Sequence, residues 1–246
     1  YSRTGSAGDG YRMAERMGHS IQPIRPALVP LETEEETVRD LQGLSLKLVR
    51  AALYSSGLKV EEEFGEMLFT HFGVSGPIIL TLSGLAVEEM TGGKVELSID
   101  FKPALSHEQV EKRLLREFEG GARKKILNIM ANLLPQRMIP VFLRKAGRGP
   151  EKKGAEIRAE GRKRIADLLK DWRIPLKRAR PLEEAIITAG GVTVKEIHPS
   201  TLESKILRGL YFCGEVIDID WKPGGYNLQA SFSTGWAAGE AAAKGP

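Results

Sequence analysis

Two stretches of this chain alternate apolar and polar side chains too regularly to be helices. One is Leu44-Ser45-Leu46-Lys47-Leu48-Val49; the other is Lys94-Val95-Glu96-Leu97-Ser98-Ile99-Asp100-Phe101. Successive side chains of an extended backbone point to opposite faces, so period two predicts strands buried on one face. A run of opposite character follows. Residues 106–118 place Val110, Leu114 and Phe118 at i, i+4 and i+8, and residues 126–134 and 157–169 are also amphipathic, the pattern of helices with one buried stripe. Gly147-Arg148-Gly149-Pro150 separates helices. The reading is a strand-rich part over 31–105 and a helical part over 106–181, together one inserted domain (31–181). It is flanked by segments 1–30 and 182–246.

The flanks carry glycine-punctuated α/β patterns. Asp9 is placed to cap a helix that continues through 11–17 and ends at Gly18. Pro23, Pro26 and Pro30 keep 21–29 extended. Within the strand-rich part, Ser75-Gly76-Pro77 opens a helix over 78–90, with Ser75 as cap and Gly92-Gly93 as its end. In the closing flank, 185–194 suggests two short strands meeting at Gly190-Gly191. Leu210-Tyr211-Phe212-Cys213 suggests a short buried strand, and 228–243 a helix rich in small residues. On such a strand Cys213 is expected to behave as a small core residue.

Composition narrows the setting. Of the 246 residues, 41% are hydrophobic and 28% charged, ordinary globular usage. The single cysteine excludes an internal disulfide and suits a reducing, cytoplasmic compartment. No apolar run approaches the ~20 residues of a spanning helix, so no membrane role is expected. Charge is unevenly spread: residues 112–180 hold 21 Lys and Arg against 7 Asp and Glu, and the remainder 15 against 25. Such a basic stretch could contact phosphates, which makes a non-catalytic nucleic-acid-binding protein the alternative function. It has few interleaved aromatics for base stacking and no helix–turn–helix or zinc spacing. A solvated helical face is therefore the preferred reading, and nucleic acid is not an expected partner.

The stretch that points to chemistry is Gly209-Leu210-Tyr211-Phe212-Cys213-Gly214-Glu215-Val216-Ile217-Asp218, followed by Gly224-Gly225-Tyr226-Asn227-Leu228-Gln229. It reads as strand, acidic turn, loop, paired glycines and helix start. Gly214, without a Cβ, lets a ligand approach the backbone. Glu215 offers a carboxylate that suits a sugar or polyol hydroxyl. Gly225 turns the chain into a helix whose first N–H groups lack partners and favour negative charge. From spacing alone, a ligand site and an ordinary α/β joint are equally open. His71, in Phe69-Thr70-His71-Phe72-Gly73, is the candidate catalytic residue because it can exchange a proton near neutral pH, although a structural turn histidine is the plainer reading. His19, His107 and His198 show no metal spacing, so no metal is expected.

These residues resemble the C-terminal flavin signature of a family of bacterial FAD-dependent oxidoreductases that includes aminoacetone oxidase and a bile-acid dehydro-reductase. Thr4-Gly5-Ser6-Ala7-Gly8-Asp9-Gly10-Tyr11 and Gly65-Glu66-Met67-Leu68-Phe69-Thr70-His71-Phe72-Gly73-Val74-Ser75-Gly76-Pro77 resemble two further segments of that family, in the family's order. The resemblance implies an α/β fold: a Rossmann-like FAD-binding domain, here partial, interrupted by an inserted domain with a β-barrel-like part and a helical part. It implies FAD as cofactor, with Asp9, Gly214, Glu215, Asp218, Gly225, Asn227, Leu228 and Gln229 as binding residues. It also implies hydride transfer between the flavin and a small organic substrate, with NAD(P)H or oxygen as redox partner. The family's Gly-x-Gly-x-x-Gly, which grips the FAD pyrophosphate, does not occur in this chain. The expectation is therefore a C-terminal portion of such an enzyme.

Overall fold

The computed structural model describes residues 6–221 and 224–245. The elements, in order, are α1 (Asp9–Arg16), β1 (Ile21–Ala27), β2 (Leu31–Glu32), α2 (Glu36–Arg39), β3 (Ser45–Ser55), β4 (Leu58–Phe69), β5 (Gly73–Ser75), α3 (Pro77–Met90) and β6 (Val95–Asp100). They continue with α4 (His107–Gly120), α5 (Ile126–Met130), α6 (Ile139–Lys145), α7 (Ala159–Lys170), β7 (Trp172–Leu176), β8 (Arg178–Ala179), β9 (Ile187–Val192) and α8 (Tyr226–Lys244). Two compact units result. The larger comprises Leu31–Leu82 and Glu88–Arg178; the smaller comprises Tyr1–Pro30, Ser83–Val87 and Ala179–Pro246.

The larger unit is built on a seven-stranded sheet in the order β7-β6-β3-β4-β5-β2-β8. The pairings β2–β5, β3–β4, β3–β6, β4–β5 and β6–β7 are antiparallel. Its two edge strands, β7 and β8, are separated in the chain by Lys177 alone. Seven strands about 4.8 Å apart would put the edges of a flat sheet about 29 Å apart, so this sheet must curl strongly. The means are visible in β3 and β4. Pairing slips between Leu46 and Val49 and between Leu53 and Tyr54, and such bulges bend a strand and increase its twist. The barrel-like expectation thus meets a curled sheet whose order stays open, not a closed barrel.

The first slip also corrects the alternation drawn from the sequence. Leu48 adopts a left-handed φ of 56° and stands 69% exposed, while Val49 takes the inward position. An inserted residue shifts the phase of everything after it. β6 keeps its expected alternation, with Val95, Leu97, Ile99 and the following Phe101 all buried. Ser75 does not cap α3: it is the last residue of β5, paired with Leu68. The cap position falls to Gly76 at φ 94°, where a Cβ would stand 2.9 Å from the Leu68 nitrogen.

The helices cover this sheet as their stripes require. Ser106 caps α4 through the Gln109 N–H in a full capping box, and Val110, Leu114 and Phe118 are buried. Sheet and helices meet at Trp172, whose ring lies 5.6 Å from that of Phe101 and 5.8 Å from that of Phe142.

In the smaller unit β1 pairs antiparallel with β9. A single parallel bridge joins Val192 to Ile217. Among the described residues no Rossmann-like parallel sheet is assembled; the chain is mixed α/β with antiparallel sheets. Ala14, Val192, Ile197, Leu202, Phe212, Ile217 and Ala238 form the core of this unit. Two sequence expectations fail here for identifiable reasons. Residues 185–194 contain one strand, not two, because β9 runs through both glycines. A Cβ on Gly190 would stand 2.2 Å from the Pro23 carbonyl oxygen, and one on Gly191 2.6 Å from that of Val216. The glycines admit neighbouring backbones where a turn was expected. Segment 210–213 forms only an isolated bridge between Tyr211 and Glu203. Phe212 takes the inward position, leaving Cys213 exposed rather than in the core. Leu228, Phe232 and Trp236, four residues apart along α8, are all exposed. No helix among the described residues is long and apolar enough to cross a membrane.

Trp172→Ala should destabilise the protein by about 3–5 kcal/mol, since it empties the junction of sheet and helices. Urea unfolding checks this; a loss under 1 kcal/mol would show that the junction carries little of the stability.

Candidate functional site

A cleft in the smaller unit is lined by Gly8, Asp9, Gly10, Tyr11, Thr188, Glu215, Leu228 and Ser231, among others. Its first wall is the start of α1. Gly8 turns the chain at φ 76° and occupies the cap position. Asp9 is therefore the first helical residue and not the cap. Its carboxylate is paired with Arg12, and Arg12 also donates to the Ala7 carbonyl at 2.6 Å. Gly10 lies against Val216; a Cβ there would sit 3.2 Å from the Val216 side chain. Thr4 and Gly5 of the quoted Gly-Asp-Gly segment lie outside the described residues.

The second wall is the single 3-10 turn Gly214–Val216. Gly214 has φ 73° and donates its N–H to the Thr234 hydroxyl of α8 at 2.9 Å. This fixes the acidic turn against the helix. Tyr11 holds the same turn from the other side. Its hydroxyl donates to the Glu215 carbonyl oxygen at 3.1 Å and lies 3.2 Å from the Thr188 hydroxyl on β9. The third wall is the first turn of α8, entered through Gly225 at φ 87°. Asn227 closes the preceding loop: its amide accepts from the Trp221 N–H and donates to the Trp221 carbonyl, both at 2.9 Å.

The structure thus brings Asp9, Glu215 and Leu228 to one cleft, with Gly214 and Gly225 shaping its walls. Asn227 acts on the loop, and Gln229 bonds Ser233 along the helix surface; neither lines the cleft. Asp218 is held through its backbone, its N–H donating to the Val192 carbonyl at 2.9 Å. His71 belongs to the larger unit. It is exposed on the turn between β4 and β5, its ring edge-on to Phe72 at 4.9 Å. No cluster of metal-ligating side chains occurs among the described residues. Tyr11, Thr188 and Ser231 were not singled out from the sequence, because nothing in local spacing marks a hydroxyl that acts across the fold.

Chemically the cleft offers N–H groups at a helix start, which have no intrahelical partner, together with a carboxylate, hydroxyls and an apolar side chain. That set suits an elongated ligand with a planar apolar part and hydroxyl groups.

Comparison with known proteins places residues 25–187 under the family model described as the HI0933-like protein barrel and H2TH domain. The chain belongs to the HI0933-like family. The match runs from within β1 to the start of β9. Among relatives of this HI0933-like chain, a 3-dehydro-bile acid delta(4,6)-reductase from Clostridium scindens is 30% identical over 98% of the chain and 59% of the relative. Two proteins named ribosomal RNA dihydrouridine synthase are each 29% identical. The Escherichia coli protein matches over 96% of the chain and 56% of its own length, and the Haemophilus influenzae protein over 93% and 54%. The chain spans somewhat more than half the length of these relatives.

Tyr11→Phe should cost about 0.5–1.5 kcal/mol for each hydrogen bond lost. Adding Thr188→Val should cost less than it does alone, because the two share one contact. A double-mutant cycle in urea measures this; full additivity would show that Tyr11 does not pin the acidic turn to β9.

Proposed function

We propose that this chain is the part of an FAD-dependent reductase that faces the flavin ring and ribityl chain. The observation that carries the reading is the convergence of the α1 start, Glu215 and the first turn of α8 on one cleft. Glu215 would hold ribityl hydroxyls, the helix start would face the electron-rich edge of the ring, and Leu228 would pack on its plane. Asp9, Gly214, Asp218, Gly225, Asn227 and Gln229 complete the proposed binding set, as ligands or as supports of the walls. Bound FAD would supply hydride transfer; the chain supplies orientation and electrostatics. In this reading residues 1–30 and 182–246 are segments of the FAD-binding domain, and 31–181 is the inserted domain.

The relatives' names narrow the reaction. One names a reductase of a delta(4,6) steroid, the other a synthase of a dihydro-nucleoside. Both describe adding two hydrogens across a carbon–carbon double bond, and we assign the same class here, with an electron-poor double bond in a small organic substrate. NAD(P)H is the proposed source of electrons. Saturating a double bond also takes a proton, and His71, an imidazole on an exposed turn, is the proposed donor.

The test is titration of this chain with FAD, followed residue by residue by NMR. A helix end contributes about 0.3–1 kcal/mol and a hydrogen bond about 0.5–1.5, against the roughly 8 that micromolar affinity requires. Saturable binding weaker than micromolar is therefore expected, with shifts confined to Gly8–Tyr11, Glu215 and Leu228 and reduced by Glu215→Ala. Shifts elsewhere, or none at millimolar FAD, would remove the flavin reading.

A further inference from the structure

Three adjoining depressions run across the larger unit, and all three share Arg113. One is lined by Arg113, Arg116, Lys124, Asn128 and Asn132. The next adds Lys112 and Leu115. The third carries the path onto the sheet through Lys102, Lys47, Arg50 and Phe64. Seven cations thus lie along one continuous surface, contributed by β3, the β6–α4 connection, α4 and the segment before α5.

The carboxylates nearby are already engaged. Glu117 accepts from Asn132 at 2.7 Å and lies 3.6 Å from Arg113. Glu108 pairs with Lys112 at 2.6 Å, and Glu62 lies between Lys59 at 3.1 Å and Arg50 at 3.9 Å. Lys47, Lys102, Arg116 and Lys124 have no carboxylate partner among the described residues. Lys102 shows the consequence: burial first, and then the neighbouring Arg113 charge, hold its ammonium below the usual lysine pKa. Lys112, Arg113 and Arg50 are partly neutralised by their carboxylates; the cations left without one repel each other, a cost that a bound anion recovers.

The aromatic group that the basic stretch lacks in sequence is supplied in space. Phe64 stands directly across from Arg50 in the β3–β4 ladder, so the two side chains share a sheet face. Phe64 is 55% exposed, and Leu48, which lines the same depression, is 69% exposed. An exposed aromatic beside a line of cations matches the two requirements of a single strand of nucleic acid, a stacking platform and a phosphate track. A purely anionic partner would have no use for the phenyl ring.

We propose that the surface from Lys124 through Arg113 to Phe64 binds single-stranded nucleic acid, with Lys47, Lys102, Arg113, Arg116 and Lys124 on phosphates and Phe64 under a base. The proposal stands apart from the flavin reading, and its test contains no flavin. The probe is a short fluorescein-labelled single-stranded RNA, with the same sequence as DNA in parallel, followed by anisotropy across a salt series. Affinity should fall with salt at a slope of about −0.7 for each phosphate neutralised. Arg116→Glu with Lys124→Glu should weaken binding by about tenfold or more and flatten the slope. The control is Arg158→Glu with Lys163→Glu, which makes the same charge change at exposed positions lining none of the three depressions; it should cost far less. Phe64→Ala should cost about tenfold with an unchanged salt slope, and Phe64→Trp should restore binding. Circular dichroism and thermal melting establish that each variant is folded. Equal losses from both charge pairs would overturn the proposal. So would indifference to Phe64, absence of binding, or a preference for anionic lipid vesicles over RNA. Tighter binding to RNA than to DNA would support it and assign the 2′-hydroxyl a part in recognition.

Discussion

The larger unit depends on how its two ends meet. Glu32, in the short strand β2, receives the Lys177 N–H at its carbonyl at 2.8 Å, and its carboxylate accepts from Arg178 at 2.7 Å. The neighbouring Thr33 hydroxyl donates to the Pro175 carbonyl at 2.6 Å. The Glu32 side chain is nearly buried, so its charge needs the guanidinium it has found. These bonds tie the first residues of the unit to its last. Closing a long flexible loop carries an entropic cost that rises with its length. Here the cost is met within the larger unit, and the chain leaves close to where it entered. β1 and β9 can then pair across a short connection although a whole folded unit lies between them in sequence.

How far the chain could be read in advance follows from the range of the forces involved. β6 and α4 were legible because their signals are local: alternation in one, a buried stripe in the other. The curl was not legible, because it follows two slips in the β3–β4 pairing, and a leucine such as Leu48 gives no sign that it will take a left-handed φ. Gly190-Gly191 misled for a related reason. A glycine pair signals a turn in isolation, whereas here Pro23 and Val216, distant in sequence, come too close for any side chain. Cys213 was placed inward by the apolar run around it, but only Phe212 reaches the core.

The same distinction separates the two surfaces proposed for function. Asp9, Glu215 and Leu228 were marked by helix starts and an acidic turn, features carried by a few adjacent residues. The hydroxyl of Tyr11, which joins α1, β9 and the acidic turn, carries no such mark. On the larger unit the basic residues of α4 were plain in sequence, while Lys47, Arg50 and Phe64 come from strands far upstream. One ground for not expecting nucleic acid was a missing aromatic beside the basic residues, and Phe64 of β4 lies beside them in space.

The tryptophans give this division an optical form. Trp172 is fully buried in the larger unit, while Trp221 and Trp236 of the smaller unit are 56% and 78% exposed. An indole inside a dry aromatic cluster emits at shorter wavelength and is shielded from dissolved quenchers, whereas one in water emits to the red and is readily quenched. The two parts of the protein therefore report separately in a single emission spectrum. Anything that settles on Leu228, Phe232 and Trp236 moves the red component alone, and loosening of the sheet–helix junction moves the blue.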